Sequence, residues 1–366
     1  MTAEELFGRE AVERGRRYHR PLYLALVLDT ALLLGVLAAL ALTPAGDALH
    51  GLVAGLPWWA QAPLFAALVL LVAALVRLPL AWWSGYAHER RWELSTQTPA
   101  GWLADRAKAF AIAAVLGGAA LTGLVAAARS LPEAWPFAAG LAGAALVLLL
   151  GFVAPVVLEP LFNRFEPLPD AELRARLLSL AERVGVPVRH VLVSDASRRT
   201  TKLNAYVSGI GASRRVVVFD TLVERLSPAE VEVVVAHELA HRKERHPAKL
   251  AALGMAGAAA AALALWLVLG HRVAEPRTIP HVLLVLAALQ LAASAPAAAL
   301  VRRWERLCDG FALEATRDPA AFERVFRALA EANVADLDPP AAVRRLLLTH
   351  PPIPERIAAA RAFAAS

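Results

Sequence analysis

Apolar residues along this chain come mainly in long unbroken runs rather than in alternation. A helix needs roughly 20 mostly apolar residues to cross the hydrocarbon core of a bilayer. Six stretches have that length, at about 22–43, 60–83, 108–128, 136–158, 249–270 and 279–301. Trp58, Trp59, Trp82, Trp83 and Trp135 stand near their ends, where interfacial aromatic anchors belong. Arg77 lies inside the second stretch, close enough to one end to snorkel. The first run is longer than a signal-peptide core and follows a mixed-charge segment, so it reads as a retained anchor. Asp29 interrupts that run, as a carboxylate lining a chamber or as a boundary residue reaching water.

Between the fourth and fifth runs the pattern becomes that of a globular domain. Asp170 to Val184 places Leu173, Leu177, Leu178 and Leu180 on or near one helical face. Val188 to Val193 and Val216 to Phe219 are short β-branched runs, hence strands. Ser227, Pro228, Ala229 and Glu230 form a helix start, with Ser at the cap, Pro in the first turn and Glu three residues on. That helix continues past residue 241.

Composition narrows the class. The chain has 366 residues, of which 58% are hydrophobic and 19% charged. Ordinary soluble domains run at about 45–50% and about 25%. A purely cytosolic protein, a disordered chain and a coiled coil are thereby excluded, and a single cysteine excludes a disulfide scaffold. A net charge of +6 and a pI near 10.0 would suit nucleic acid, but much of the arginine excess flanks the apolar runs and reports orientation instead. No nucleic-acid partner is expected. Arg9, Arg14, Arg16, Arg17 and Arg20 precede the first run and the 44–57 loop carries no Lys or Arg. The N-terminus is therefore inside, with 159–248 and 302–366 on the cytoplasmic side. The chain divides into a membrane region (residues 1–158), a first polar region (159–248), a hairpin of spans (249–301) and a second polar region (302–366).

Residues 237–241 read His-Glu-Leu-Ala-His, on the helix that begins at Ser227. Histidines four apart project from one helical face, so both imidazoles reach a single ion, and the Glu between them can serve as base. A catalytic zinc site wants three protein ligands and an open position. His246 falls one residue off the spacing at which a third histidine would follow, and reads better as a helix-dipole or supporting group. A carboxylate from a later helix is the other solution. Glu305 and Asp309 lie one turn apart beyond the sixth run. Glu305 would bind the metal, while Asp309 would accept the free N–H of a ligand histidine. Cys308 reads as a small buried residue.

With these residues the chain resembles the type I CAAX prenyl endopeptidase family of integral membrane zinc metalloproteases. Glu89-Arg-Arg-Trp with Trp102 and Asp105, Pro160-Leu-Phe-Asn163, Asp195 to Lys202, Asn204-Ala-Tyr206, Phe219 to Leu222 and His350-Pro-Pro-x-x-x-Arg356 are similar to the family's wording. They extend the likeness over roughly residues 86–360. Eukaryotic members are described with seven spans and six are counted here, which fits a shorter, bacterial-type member. The resemblance implies a mostly α-helical polytopic membrane protein with a zincin-like α+β metallopeptidase domain. It implies one zinc ion per chain on His237, His241 and Glu305, with Glu238 as base. Asn204 and Tyr206 would lie on an edge strand that pairs with substrate backbone. His350 would stabilise the oxyanion, and Arg356 would tie the C-terminal segment to the core.

The activity expected is an endopeptidase acting on lipidated or membrane-associated peptides in a bacterial inner membrane, its site facing the cytoplasm and membrane lipids around it. The alternatives are a heat-shock type quality-control metalloprotease and a non-catalytic membrane scaffold with a structural metal.

Overall fold

A computed structural model describes residues 2–209 and 214–365. Among them, six helices are long and apolar enough to cross a membrane: Arg9–Leu42, Trp58–Arg91, Pro99–Ser130, Trp135–Phe162, His246–Ala274 and Pro276–Thr316. Each contains one of the six apolar runs and extends past it into polar sequence. Local signals set these ends. The Thr98 hydroxyl accepts the Gly101 N–H and Pro99 occupies the first turn of the third helix. The fourth and fifth spans approach closely on small residues: a Cβ at Gly143 would come within 2.9 Å of the Ala258 Cβ.

Two features of the membrane region differ from the sequence expectation. Trp135 does not anchor at an interface. It is fully buried and packs in the apolar core formed between the spans with Leu265 and Leu269. Arg77 does not snorkel. Its Nε donates to Asp29 Oδ1 at 2.8 Å, and a second bond joins Nη2 to Oδ2. The first two spans are thus joined by a two-pronged guanidinium–carboxylate pair, a geometry arginine alone among cationic side chains provides. Asp29 has its charge answered inside the protein, which resolves the two readings of that residue.

The polar domain is built on a four-stranded sheet in the order β1-β2-β4-β3. Its strands are β1 (Phe165–Pro167), β2 (His190–Ser194), β3 (Ala205–Ser208) and β4 (Arg215–Phe219). The β2–β4 pair is parallel and the others are antiparallel, with Tyr206 opposite Val217. β2 begins two residues later than its apolar run suggests, because its pairing with β4 starts at His190 opposite Arg215. The helix Ala171–Arg183 is capped by Asp170, whose Oδ1 accepts the Leu173 N–H at 2.9 Å.

Helix Pro228–Lys243 starts at the capping box of Ser227 and Glu230. It buries Val231, Val235 and Leu239 completely in a core that includes Leu177 and Leu180, Val216 and Val218, and Phe322 and Ile357. Residues from both polar stretches, on either side of the last two spans, therefore share one apolar interior.

Motif residues distant in sequence clamp this domain to the membrane helices. Lys202 pairs with Glu89 at 2.7 Å and Arg199 with Asp105 at 2.9 Å. Arg199 also donates to the Asn163 side chain at 2.7 Å, and Ser95 bridges to Thr200.

Replacing one member of the pair between the first two spans strands a charge in an apolar setting, whereas replacing both does not. Arg77→Leu is expected to destabilise the protein by about 3 kcal/mol, and Asp29→Leu combined with Arg77→Leu to recover most of that loss. Thermal unfolding in detergent of the two single variants and the double variant checks this. Simple additivity of the single losses would contradict it.

Candidate metal centre

The two helices that carry the metal-type residues both run directly into membrane spans. Helix Pro228–Lys243 presents His237, Glu238 and His241 and ends at a sharp corner. Arg245 takes the left-handed conformation there, at φ 56°, and His246 opens the fifth span. Ile279–Thr316 is one continuous helix that comprises the sixth apolar run and then Trp304, Glu305, Cys308 and Asp309. The site therefore sits just beyond the ends of the apolar runs.

Three side chains converge on one point. His237 Nε2 lies 3.1 Å from Glu305 Oε2, His241 Nε2 lies 3.3 Å from Glu305 Oε1, and the two imidazole Nε2 atoms are 3.4 Å apart. These three donor atoms lie within 4.8 Å of one another, the spread a single ion spans. His237 and Glu305 are buried, at 7% and 2% exposure.

The other faces of the rings are already committed. His237 Nδ1 donates to Asp309 Oδ1 at 3.0 Å, and Asp309 is held in turn by Arg356, whose Nε donates to Oδ2 at 2.8 Å. The Arg356 guanidinium stacks 4.0 Å over the Phe326 ring. His241 Nδ1 meets His246 Nδ1 at 3.1 Å, and the His246 ring lies flat on Trp304 at 4.6 Å and 8°.

This arrangement is a test of fit. With Nδ1 carrying the hydrogen towards Asp309, His237 turns a lone pair at the Glu305 carboxylate. His241 does the same when its own Nδ1 donates to His246. Three acceptors that face each other in a buried site repel unless a cation lies between them. The donor set, two imidazoles and a carboxylate, is one that zinc takes with an open fourth position. Burial opposes charge on the His237 ring, but hydrogen bonds to Asp309 and Glu305 outweigh it and raise its pKa to about 9. Without a metal, a proton fills the same role.

A second group, His241, His246 and Cys308, also lies within 4.8 Å. Cys308 and His246 are buried, and only His241 of that group reaches the surface.

Glu238 is partly exposed and has no side-chain hydrogen bond to another described residue. Burial holds its carboxyl above the ordinary carboxylate range against the pull of His237 and His241. It faces a cavity of about 160 Å³ whose apolar wall includes Phe322, Phe326 and Leu329, with His350 and Arg356 also lining it. His350 is exposed, and its Nε2 reaches to 3.2 Å from Glu305 Oε2 while Nδ1 meets the Thr349 hydroxyl at 2.9 Å.

Asn204 and Tyr206 are placed differently. Asn204 lies just before β3, lines the cavity, and its Oδ1 accepts the Ala205 N–H at 2.9 Å. Tyr206 is on the edge strand, but its hydroxyl donates to Glu159 Oε2 at 3.3 Å. Arg242 donates to the Val207 carbonyl at 2.6 Å, so some of that edge is already satisfied within the chain.

Sequence reading missed the helix Pro319–Ala332 as a wall of the site. Its amphipathic spacing was the available signal. It also left Glu159 unremarked, the carboxylate that binds Tyr206, Ser208 and Arg215.

The fold and the site together define a membrane-embedded metallopeptidase. Residues 4–164 match the CAAX prenyl protease N-terminal family, described as five membrane helices, and residues 167–364 match peptidase family M48. The chain belongs to peptidase family M48. It is 30% identical over 312 residues to the metalloprotease YhfN of Bacillus subtilis, an alignment covering 80% of this chain and 71% of that one. It is 34% identical over 188 residues to CAAX prenyl protease 1 of Saccharomyces cerevisiae, covering 51% of this chain and 42% of the yeast protein. The fold is similar to that of S. mikatae Ste24p, with a TM-score of 0.74 at 24% identity over 83% of this chain and 77% of that one. The chain is an integral membrane metalloendopeptidase.

A metal ion held by His237 would have to displace the proton on that ring. At pH 7 each metal ion bound is expected to release about one proton. Apparent affinity should climb about tenfold per pH unit and level off above about pH 9, the folded-state pKa of His237. Calorimetry in buffers of different ionisation enthalpy reads the proton count. Absence of release at pH 7 would contradict the assignment.

Proposed function

We propose that this protein is a zinc endopeptidase that cleaves lipidated or membrane-associated peptides. One ion per chain is held by His237, His241 and Glu305. The observation that carries this reading is the convergence of two imidazole Nε2 atoms and one carboxylate, within 4.8 Å, beside Glu238, which has no ion pair among the described residues.

When bound, zinc polarises the scissile carbonyl and acidifies a water. The chain's own groups do the rest. Glu238, with a carboxyl raised above its ordinary range, takes the proton of the attacking water on a carboxylate oxygen and delivers it to the leaving amine nitrogen. His350 Nε2, 3.2 Å from Glu305, donates to the carbonyl oxygen as it gains charge. Asp309 fixes His237 in the tautomer with a free Nε2, and Arg356 holds Asp309 in place. His246 does the same for His241 with a neutral ring. Asn204 and Tyr206 position substrate at the β3 edge, where the groups not taken by Asn204 and Arg242 receive its backbone.

A lipid-bearing substrate is supported by the place of the site one turn or so beyond the apolar runs. It is supported too by relatives that carry the name CAAX prenyl protease. The arginine distribution supports a site that faces the cytoplasm, and the similarity to a Bacillus subtilis metalloprotease supports a bacterial inner membrane.

Glu238→Ala should keep zinc and lower peptide cleavage about 10²–10⁴-fold, the range a general base contributes. Metal content by atomic spectroscopy and cleavage of a farnesylated peptide beside its unlipidated twin measure both at once. Full activity in Glu238→Ala would remove it as base. Equal cleavage of the two peptides by the wild-type protein would remove lipid recognition and leave the peptidase intact.

A further inference from the structure

Between the first turns of helix Arg9–Leu42 and the segment 336–345 lies a cationic cavity that the metal centre does not use. It encloses about 1040 Å³. Arg16, Arg17, Arg20 and Tyr23 line it from helix Arg9–Leu42, and Arg344 and Arg345 from the short helix Ala341–Leu346.

Its acidic groups are each engaged by a neighbour, though not all are neutralised. Glu13 and Asp338 pair with Arg16 at 2.7 and 2.5 Å, and Asp336 accepts the Tyr23 hydroxyl at 2.6 Å. Arg344 reaches Glu355 at 2.8 Å. Arg17, Arg20 and Arg345 are exposed, and their guanidinium groups have no ion pair among the described residues. Arg16 is one cation against both Glu13 and Asp338, and Asp336 meets a neutral hydroxyl. With Arg344 matched by Glu355, the three remaining arginines outnumber the uncompensated carboxylates by one, and the space keeps a positive balance.

The flanking residues fix the depth of this cavity relative to the bilayer. One turn beyond Arg20, the same helix turns Leu24 and Val27 outwards, at 60% and 61% exposure. On the opposite wall, Leu346 and Leu347 are exposed at 52% and 38%. Arg302, immediately after the sixth apolar run, donates to the Arg345 carbonyl at 2.9 Å and to that of Leu348. Arg20 is thus one helical turn, and Arg17 two, from the first strongly exposed apolar residue of the span, a spacing that suits lipid phosphates above the acyl chains.

We propose that this cavity binds the head group of an anionic phospholipid. Arg17, Arg20 and Arg345 grip its phosphate, and its acyl chains run along Leu24, Val27 and Leu346. Planar guanidinium forks match phosphate oxygens, and basic pockets between spans at a membrane face are suited to such head groups. A free anion would gain from the charges but not from the apolar flanks. The occupant also ties down the segment 341–348, which leads directly to Thr349 and His350. The proposal does not depend on the metal reading.

The full-length protein in nanodiscs of phosphatidylcholine, with or without phosphatidylglycerol, provides the test. Native mass spectrometry reads retained lipid, and hydrogen exchange reads residues 341–348. The wild type should retain phosphatidylglycerol in preference to phosphatidylcholine and gain protection over 341–348. Arg17→Gln, Arg20→Gln and Arg345→Gln together should weaken that retention on the order of a hundredfold, since each cation near the surface contributes about fivefold. The corresponding three lysine substitutions should preserve most of it. Equal retention of the two lipids by the wild type, or undiminished retention by a folded triple glutamine variant, overturns the proposal. Displacement of the lipid by a matching concentration of inorganic phosphate makes the cavity a free-anion site and overturns the lipid assignment. If the triple variant does not fold, the wild-type comparison decides alone.

Discussion

The structure depends on a standoff between three electron-pair donors. Glu305, His237 and His241 present oxygen and nitrogen lone pairs to one small buried space, at separations of 3.1 to 3.4 Å. Water cannot relax such an arrangement there, and an unanswered buried carboxylate costs several kcal/mol. Something positive has to sit between them. What surrounds the three groups can be understood as the means of holding them in opposition. Arg356, stacked on Phe326, pins Asp309, which turns His237, and Trp304 pins His246, which turns His241.

This requirement explains why the site is placed where it is. The histidines and the carboxylate arrive on separate helices, and each of those helices is continuous or nearly so with a membrane span. Registering them to a few tenths of an ångström calls for rigid elements, and a long helix packed among others is the stiffest available. The same continuity places the three groups just beyond the ends of the apolar runs, where the proposed membrane-associated substrate would arrive. The clamp of Glu89, Asp105 and Asn163 to Arg199 and Lys202 serves the same end from the other side, locking the sheet against the spans.

Periodic and local signals were legible in the sequence. The six apolar runs, the capped helix at Ser227, the strand at Val216 and the spacing of His237 and His241 each depend on residues within a few positions of one another. What escaped was decided by partners far along the chain. Arg77 has no local sign that its charge is met by Asp29, 48 residues earlier. Trp135 sits at the start of an apolar run as an anchor would, but the packing of other spans closes over it. His246, one residue off a ligand spacing, is brought against His241 only because Arg245 turns the chain through a left-handed corner. The edge strand is legible for Tyr206, whereas its engagement by Glu159, 47 residues earlier at the end of the fourth span, has no local sign.

X-ray absorption at the zinc edge of the metal-loaded protein tests the central claim most directly. The account predicts a first shell of nitrogen and oxygen only, at about 2.0–2.2 Å, with two imidazole scatterers and no sulfur. A zinc–sulfur distance of about 2.3 Å would place the ion on His241, His246 and Cys308 and contradict it.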